Sequence, residues 1–133
     1  MARDFRKIVA WKKADDLVVE IYRQTARSFP RDERYGLVPQ LRSAAVSVAA
    51  NIAEGSGRST SADFRRFLYQ AQGSLSEVEY YLHLAERLDM TDSSALEKLQ
   101  GLRAEVGKTL TGLILAVSRP HASGLRTAVE RSE

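Results

Sequence analysis

Four blocks of the sequence place apolar side chains three or four positions apart, which is the spacing of one face of an α-helix. The first block runs from Ile8 to Tyr22 and the second from Leu41 to Ala53. The third runs from Phe64 to Leu88 and the fourth from Leu96 to Val117. No segment carries a β-hairpin signal. The pattern therefore predicts an all-α chain with four amphipathic helices.

Proline and glycine predict where the first two helices end. The first helix is expected over residues 9–27, because Pro30 closes it, and a charged connection follows. The second is expected over residues 37–54, with Pro39 tolerated in its first turn. Gly55 and Gly57 are expected to end it, since glycine readily takes the left-handed conformation that follows many helices. Small residues dominate this second stripe and predict close packing against a neighbouring helix.

A hydroxyl-rich start signal precedes the third helix. A side chain within Ser59-Thr60-Ser61 can cap its first amides, and the helix is expected to continue to about Arg87. The fourth helix is expected to run towards Pro120. Short connections favour antiparallel neighbours, so we expect an up-down-up-down four-helix bundle over residues 1–119 and a tail over residues 120–133.

Composition narrows the functional classes. The 133-residue chain contains no cysteine, which excludes disulfides, thiolate nucleophiles and cysteine-ligated metal sites and fits a reducing compartment. No apolar run reaches membrane-spanning length, and the charged N-terminus does not look like a signal peptide. We therefore expect a cytoplasmic protein without a membrane partner.

Positive charge is concentrated in the first half of the chain. Residues 1–66 carry 13 Lys and Arg against 8 Asp and Glu, a net +5, whereas residues 67–133 carry 7 against 9, a net −2. An uneven distribution of this kind can supply a basic face for phosphate backbones, although solvated helix faces often mix both signs. The candidate nucleic-acid contacts are Lys12, Lys13, Arg42, Arg58, Arg65 and Arg66.

Polar side chains recur at helical spacing along the second and third helices. If these lines face each other, they form a structural polar seam that fixes the helix register, because unpaired buried polar groups are costly. The seam candidates are Ser47, Asn51, Glu54, Gln70, Ser74 and Glu77.

Catalytic and metal-site interpretations are weaker. His83 lies at helical spacing from Glu79 and Glu86, but a solvated helix face explains this group better than a metal site does. The glycines around Ser56 lack the rest of a phosphate-loop fingerprint and the strand that precedes one. No nucleophile completes an acid–base set around Glu54 and Glu77. We expect no catalytic residues, no bound metal and no cofactor.

Several motifs resemble a known family. They are FRKIVAW at residues 5–11, FP at 29–30, ERYGL at 33–37, RSAAVS at 42–47, NIAEG at 51–55, GR at 57–58, FRRFL at 64–68 and GSLSE at 73–77. Nearly the whole helical part thereby resembles the four-helix-bundle proteins encoded in intervening sequences of large-subunit ribosomal RNA genes. Pro39 and Ala49-Ala50 depart from the usual family residues, so the bend of the second helix can differ.

The resemblance implies a bundle that assembles into a ring-shaped homo-oligomer, a homopentamer in the family pattern. It extends to distant relatives that act as accessory proteins beside reverse transcriptases in diversity-generating retroelements. The resemblance therefore implies three kinds of partner. These are further copies of the chain itself, RNA or DNA, and a reverse transcriptase or another protein.

Three functional hypotheses remain at this point. The first is a non-enzymatic, oligomeric, RNA-binding scaffold. The alternative is a protein–protein interaction module or structural oligomer without nucleic acid. A metal-dependent or hydrolytic enzyme built around Glu54, Glu77 or His83 ranks last.

Overall fold

The computed structural model describes residues 3–119, which form four α-helices and no β-strand. The helices are α1 (Val9–Arg27), α2 (Leu37–Ser56), α3 (Ser61–Arg87) and α4 (Ser93–Val117). Two 3₁₀ helices, Phe5–Lys7 and Arg31–Tyr35, precede α1 and α2. The predicted all-helical class is confirmed, and so are the bounds of α1. The predicted tail, residues 120–133, lies outside the described residues.

Side-chain caps begin α3 and α4. Thr60 Oγ1 accepts a hydrogen bond from the Asp63 N–H at 3.1 Å, which confirms the predicted hydroxyl cap. Asp92 Oδ1 accepts one from the Ala95 N–H at 2.7 Å. At its other end α4 stops at Val117, three residues before Pro120.

The glycine argument for the end of α2 was wrong. The helix continues through Gly55 to Ser56, and Gly57 has φ −85°, so neither glycine is left-handed. Gly55 is needed for a different reason, since an added Cβ would lie 2.8 Å from Phe67 Cβ and 3.0 Å from Phe64 Cδ1. Glycine at this position therefore lets α2 and α3 approach each other closely.

The left-handed residue of the described chain is Asp89, with φ 50°, just after α3. Met90 N–H bonds to Ala85 O at 2.9 Å and Asp89 N–H to Glu86 O at 3.2 Å, the pair of bonds that closes many helices. This turn buries Met90 and leaves Leu88 57% exposed. The assignment of Leu88 to the buried stripe was therefore wrong, because the helix ends before that position.

The charged connection before α2 is ordered into a 3₁₀ helix, which the sequence did not predict. Glu33 Oε1 accepts the Leu37 N–H at 2.9 Å and so satisfies an amide at the start of α2. This bond ties the connection to α2 and positions the neighbouring Arg31 and Arg34.

All four helices contribute to one hydrophobic core. α1 packs against α2 and α4, and α3 packs against the same two helices, with the most extensive contact between α2 and α3. The largest fully buried side chains include Ile8, Leu17, Ile21, Leu41, Ile52, Phe64, Leu68, Leu82, Leu99, Leu110 and Leu113. The close α2–α3 contact agrees with the small-residue stripe of α2.

Candidate nucleic-acid interface

The predicted basic residues are divided between two ends of the molecule. Five of them lie where the start of α1 meets the α2–α3 connection: Lys12, Lys13, Arg58, Arg65 and Arg66. These segments adjoin because Arg3 N–H bonds to Ser56 O at 3.0 Å and Arg3 Nη1 to Arg58 O at 3.1 Å. We call this region the junction end. Arg42 lies elsewhere, roughly 24 Å from Arg58 along α2 at about 1.5 Å per residue.

At the junction end, two of the predicted arginines are held by carboxylates and by one aromatic ring. Arg58 Nη2 lies 2.8 Å from Glu54 Oε1, and Arg66 Nη2 lies 3.4 Å from Asp63 Oδ1. Both guanidinium groups also lie over the buried Phe67 ring, at 4.5 and 4.7 Å from its centroid. These contacts stabilise the helix junction and offset part of the positive charge.

Arg3, which the sequence analysis did not select, adds to the same junction. Its guanidinium carbon lies 4.5 Å from the centroid of the fully buried Phe64 ring. Partial burial lowers the pKa of Arg3 from its ordinary value, since desolvation disfavours the charged form, but an arginine stays charged at neutral pH. No sequence motif indicates the contact between Arg3 and Phe64, because the two residues lie about sixty positions apart in the chain.

Three of the five predicted junction-end cations are not held by a carboxylate. Lys12 is exposed, and Lys13 and Arg65 are half-buried. None of the three takes part in an ion pair within residues 3–119.

Arg42 lies at the opposite end, beside the last turns of α1. Its Nε donates to Thr25 Oγ1 at 2.9 Å and its Nη2 to Tyr22 O at 3.4 Å. The guanidinium carbon lies 4.5 Å from the centroid of the Tyr22 ring. Thr25 is itself held, because its hydroxyl donates to Ile21 O at 2.7 Å. The Arg42 side chain is thus fixed in position by α1.

Arg42 borders a cleft of about 480 Å³ between the end of α1, the Arg31–Tyr35 turn and the start of α2. Arg31 and Arg34 line it as well, and its remaining lining residues are Tyr22, Thr25, Ala26, Phe29, Pro30, Val38, Pro39 and Ser43. We call it the basic cleft, since no carboxylate lines it. Arg31 and Arg34 were not predicted as site residues, because a charged connection between two helices carries no signal for a cleft.

The polar seam candidates are only partly brought together. Ser47 Oγ and Ser74 Oγ share a hydrogen bond of 2.8 Å between α2 and α3. Asn51 Nδ2 donates to Ser47 O at 2.9 Å and to Ser47 Oγ at 3.1 Å. This cluster joins the two most closely packed helices.

The three longer seam candidates are exposed and lie outside that cluster. Glu54 pairs with Arg58, and Glu77 accepts a long hydrogen bond of 3.5 Å from the Tyr81 hydroxyl. Gln70 makes no side-chain hydrogen bond within the described chain. Asn51 Nδ2 donates to Ser47 of its own helix and not to Glu77 of α3.

The residues of the weaker metal hypothesis are also placed. Glu79 pairs with Arg103 at 3.5 Å, and His83 is exposed beside Tyr80. Within residues 3–119, no three His, Cys, Asp or Glu side chains form a group that could hold a metal ion. His121 lies outside the described residues.

None of the helices formed by residues 3–119 is both long enough and apolar enough to cross a membrane.

The described chain is thus an all-helical protein with two separate basic surfaces, the junction end and the basic cleft. Residues 6–112 match the model of the 23S rRNA-intervening sequence protein family, so the chain belongs to that family. The resemblance read from the sequence motifs is thereby confirmed.

A solved structure supports the fold. It is the 1.70 Å crystal structure of a protein with unknown function from the S23 ribosomal protein family of Bacteroides thetaiotaomicron VPI-5482. The match has a TM-score of 0.74 and 24% sequence identity, and covers 80% of this chain and 98% of that chain. No curated protein matches the chain significantly.

Proposed function

We propose that this chain is a non-enzymatic helical scaffold that associates with RNA through the junction end. The observation that carries the proposal is the position of Lys12, Lys13 and Arg65, three cations at one end of the molecule without ion pairs among residues 3–119. Such side chains can neutralise phosphates and release counterions from a nucleic acid. The resemblance extends to accessory proteins of reverse transcriptases, which copy RNA, and this supports RNA as the polymer.

The proposal includes an antiparallel up-down-up-down bundle. Contacts between residues far apart in the chain support it, because positions that advance along one helix meet positions that retreat along the next. On α2 and α3, Ser47 meets Ser74, and Gly55 adjoins Phe67. On α1 and α4, Glu20 meets Lys98 while Ser28, just beyond α1, meets Thr91, just before α4.

The proposal further includes assembly into a ring-shaped homo-oligomer, a homopentamer in the family pattern. The family resemblance supports the assembly, and the candidate contact residues on α3 and α4 are Tyr69, Tyr80 and Leu115, which are 53%, 56% and 63% exposed. Native mass spectrometry of the full chain tests the assembly, and a monomer at micromolar concentration would contradict it.

The same exposed side chains favour a second candidate function, a protein-interaction module without nucleic acid. Aromatic residues are enriched at the centres of protein interfaces. For such an interaction module, the family resemblance suggests a reverse transcriptase as the protein partner. It predicts stable assembly together with no RNA binding at low salt.

Fluorescence anisotropy of labelled RNA and DNA, single- and double-stranded, distinguishes the two candidates. The full chain should bind single-stranded RNA saturably, and its affinity should fall steeply between 50 and 200 mM salt, as expected of phosphate contacts. The variant Lys12→Gln/Arg65→Gln should lower the slope of log affinity against log salt by about 1.4, since each single-strand phosphate contact contributes about 0.7.

Arg87→Gln/Lys108→Gln is the matched control, because it removes the same charge from exposed positions of α3 and α4. It should leave the salt slope unchanged if the junction end binds RNA. Equal slopes for the two double variants would reject the junction end as the contact surface, and absence of binding at low salt would reject RNA association itself.

A further inference from the structure

The basic cleft has a charge arrangement that the junction end lacks. Arg31, Arg34 and Arg42 line it, and within residues 3–119 none of them forms an ion pair with a carboxylate. The nearby Glu33 carboxylate accepts the Leu37 N–H, and neither Glu33 nor Asp32 lines the cleft. Three cations around a concave surface without an acid favour an anionic ligand.

The size and the lining of the cleft indicate that the anion belongs to a larger organic molecule. Its volume of about 480 Å³ lies within the usual range for small-molecule sites, about 300–1,000 Å³. Apolar side chains supply much of the wall, notably Ala26, Phe29 and Val38. A free inorganic anion would leave this apolar surface without contacts.

Arg42 is pre-positioned to receive such a ligand. Its Nε and Nη2 donate to Thr25 Oγ1 and to Tyr22 O, which orients the guanidinium while Nη1 has no acceptor among the described residues. A guanidinium held in place loses little side-chain entropy when a ligand binds. Arg31 and Arg34 are exposed and come from the 3₁₀ turn on the facing side of the cleft.

We propose that the basic cleft binds a nucleotide through its terminal phosphate monoester. A monoester carries a charge of about −1.5 to −2 at pH 7, which suits three arginines better than the single charge of a backbone phosphate does. The Arg42 guanidinium covers one face of the Tyr22 ring, and because Tyr22 is 43% exposed, the other face offers a stacking surface for a base. The source of the monoester is either a free nucleotide or a 5′-phosphorylated RNA end.

The proposal does not depend on RNA binding at the junction end, since Arg42 and Arg58 lie at opposite ends of α2. Evidence against RNA binding at the junction end therefore does not contradict nucleotide binding in the basic cleft. A protein that binds adenosine 5′-monophosphate but shows no salt-dependent RNA affinity would retain the cleft proposal and lose the scaffold proposal.

Isothermal titration calorimetry of the full chain provides the test, with adenosine 5′-monophosphate, adenosine and ribose 5-phosphate as probes. We expect saturable binding of the monophosphate, at least tenfold weaker binding of adenosine, and ribose 5-phosphate in between. Undetectable binding of the monophosphate at millimolar concentration would overturn the proposal. Equal affinity for the monophosphate and ribose 5-phosphate would overturn the assignment to a nucleotide.

The variant Arg31→Gln/Arg34→Gln tests the residues. Both side chains are exposed, so the melting temperature should stay at the wild-type value while monophosphate affinity falls roughly tenfold or more, as lost charge-assisted hydrogen bonds require. Arg87→Gln/Lys108→Gln serves again as the equal-charge control and should change affinity less than twofold. Equal losses in both double variants would mean that net charge alone attracts the ligand and would overturn the site.

A final comparison separates the two sources of the phosphate. Affinity is measured for one short RNA with a 5′-phosphate and with a 5′-hydroxyl, on the wild type and on Arg31→Gln/Arg34→Gln. Tighter binding of the phosphorylated RNA that disappears in the variant supports an RNA end as the ligand. Equal binding of the two RNAs, together with monophosphate binding, supports a free nucleotide.

Discussion

The two ends of this molecule use the same side chain in different ways. At the junction end, Arg58 and Arg66 share the Phe67 ring and each pairs with a carboxylate. At the cleft end, Arg31 and Arg34 border a concave surface without an acid. The comparison teaches that the contacts of the folded chain, and not the residue type, decide whether the charge of an arginine is compensated. Substitution of Arg58 or Arg66 should therefore mainly lower stability, and substitution of Arg31 or Arg34 should mainly weaken ligand binding.

The largest expected effect tests the aromatic core of the junction end. Phe64→Ala should lower the free energy of unfolding by about 3–5 kcal/mol, because Phe64 is fully buried and its removal leaves a cavity. Tyr22→Ala at the cleft end should cost about 1 kcal/mol or less, since Tyr22 is 43% exposed and mainly supports Arg42. Urea denaturation of both variants checks the difference, and equal losses would remove the distinction between the ends.

Steric fit at the junction gives the next effect. Gly55→Ala should destabilise the protein by about 1–3 kcal/mol, because its Cβ would meet Phe67 Cβ at 2.8 Å. Gly73→Ala is the matched control in α3, where nothing lies within 4 Å of an added Cβ. It should stabilise the helix by about 0.5–1 kcal/mol. Changes of the same sign in the two variants would contradict the close approach of α2 and α3.

The arginines themselves provide a smaller contrast. Arg58→Ala should cost about 1 kcal/mol, because it removes a partly exposed ion pair with Glu54 and the contact with Phe67. Arg34→Ala should change stability by about 0.5 kcal/mol or less, because Arg34 is exposed and, within the described chain, its guanidinium contacts only the exposed ring of the neighbouring Tyr35, 4.8 Å from its centroid. A thermal melt of each variant measures this, and a larger loss for Arg34 would reverse the comparison.

The smallest effect concerns Glu20, an α1 carboxylate that is 9% exposed and that contacts α4 between the two ends. A hydrogen bond from Gln24 at 2.9 Å and one from Lys98 lower the pKa of Glu20, and the charges of Lys98 and Arg23 add to this. Because the pKa is lower in the folded state, the ionised carboxylate stabilises the fold when the pH is above the unfolded-state pKa, about 4.3. This stabilisation is lost as the pH falls through the folded-state pKa.

The stability difference between wild type and Glu20→Gln should therefore shrink as the pH is lowered from 6 to 3. Urea midpoints measured across this range provide the test. Glu97→Gln removes the same charge from an exposed position of α4 and serves as the control. A difference that grows on acidification would mean that the folded state does not favour the charged form of Glu20.

Periodic and capping signals were sufficient for most of the fold. The apolar spacing and Pro30 predicted α1 over about residues 9–27, which agrees with its observed bounds, and Thr60 provides the hydroxyl cap predicted before α3. The end of α2 and the exposure of Leu88 were mispredicted because both depend on neighbouring segments. Gly55 faces two phenylalanines of α3, and Leu88 precedes a left-handed turn at Asp89 that no glycine marks.

The candidate site was less predictable than the fold. The sequence selected Arg42 but not Arg31 or Arg34, because a charged connection has no signal for the cleft that it borders. It also grouped Arg42 with Arg58, although the two lie at opposite ends of α2. Of the seam residues, Ser47, Asn51 and Ser74 meet, while the longer side chains of Glu54 and Glu77 reach solvent and bond to local partners.

By itself, the sequence determined the helical class, the number of helices among the described residues and the family, because local periodicity, capping chemistry and motif content are written along the chain. Only the tertiary structure decided which arginines are compensated and which surround an acid-free cleft. The physical reason is that electrostatic pairing depends on distances between residues that the chain separates, such as Arg3 and Phe64 or Thr25 and Arg42, and packing sets those distances.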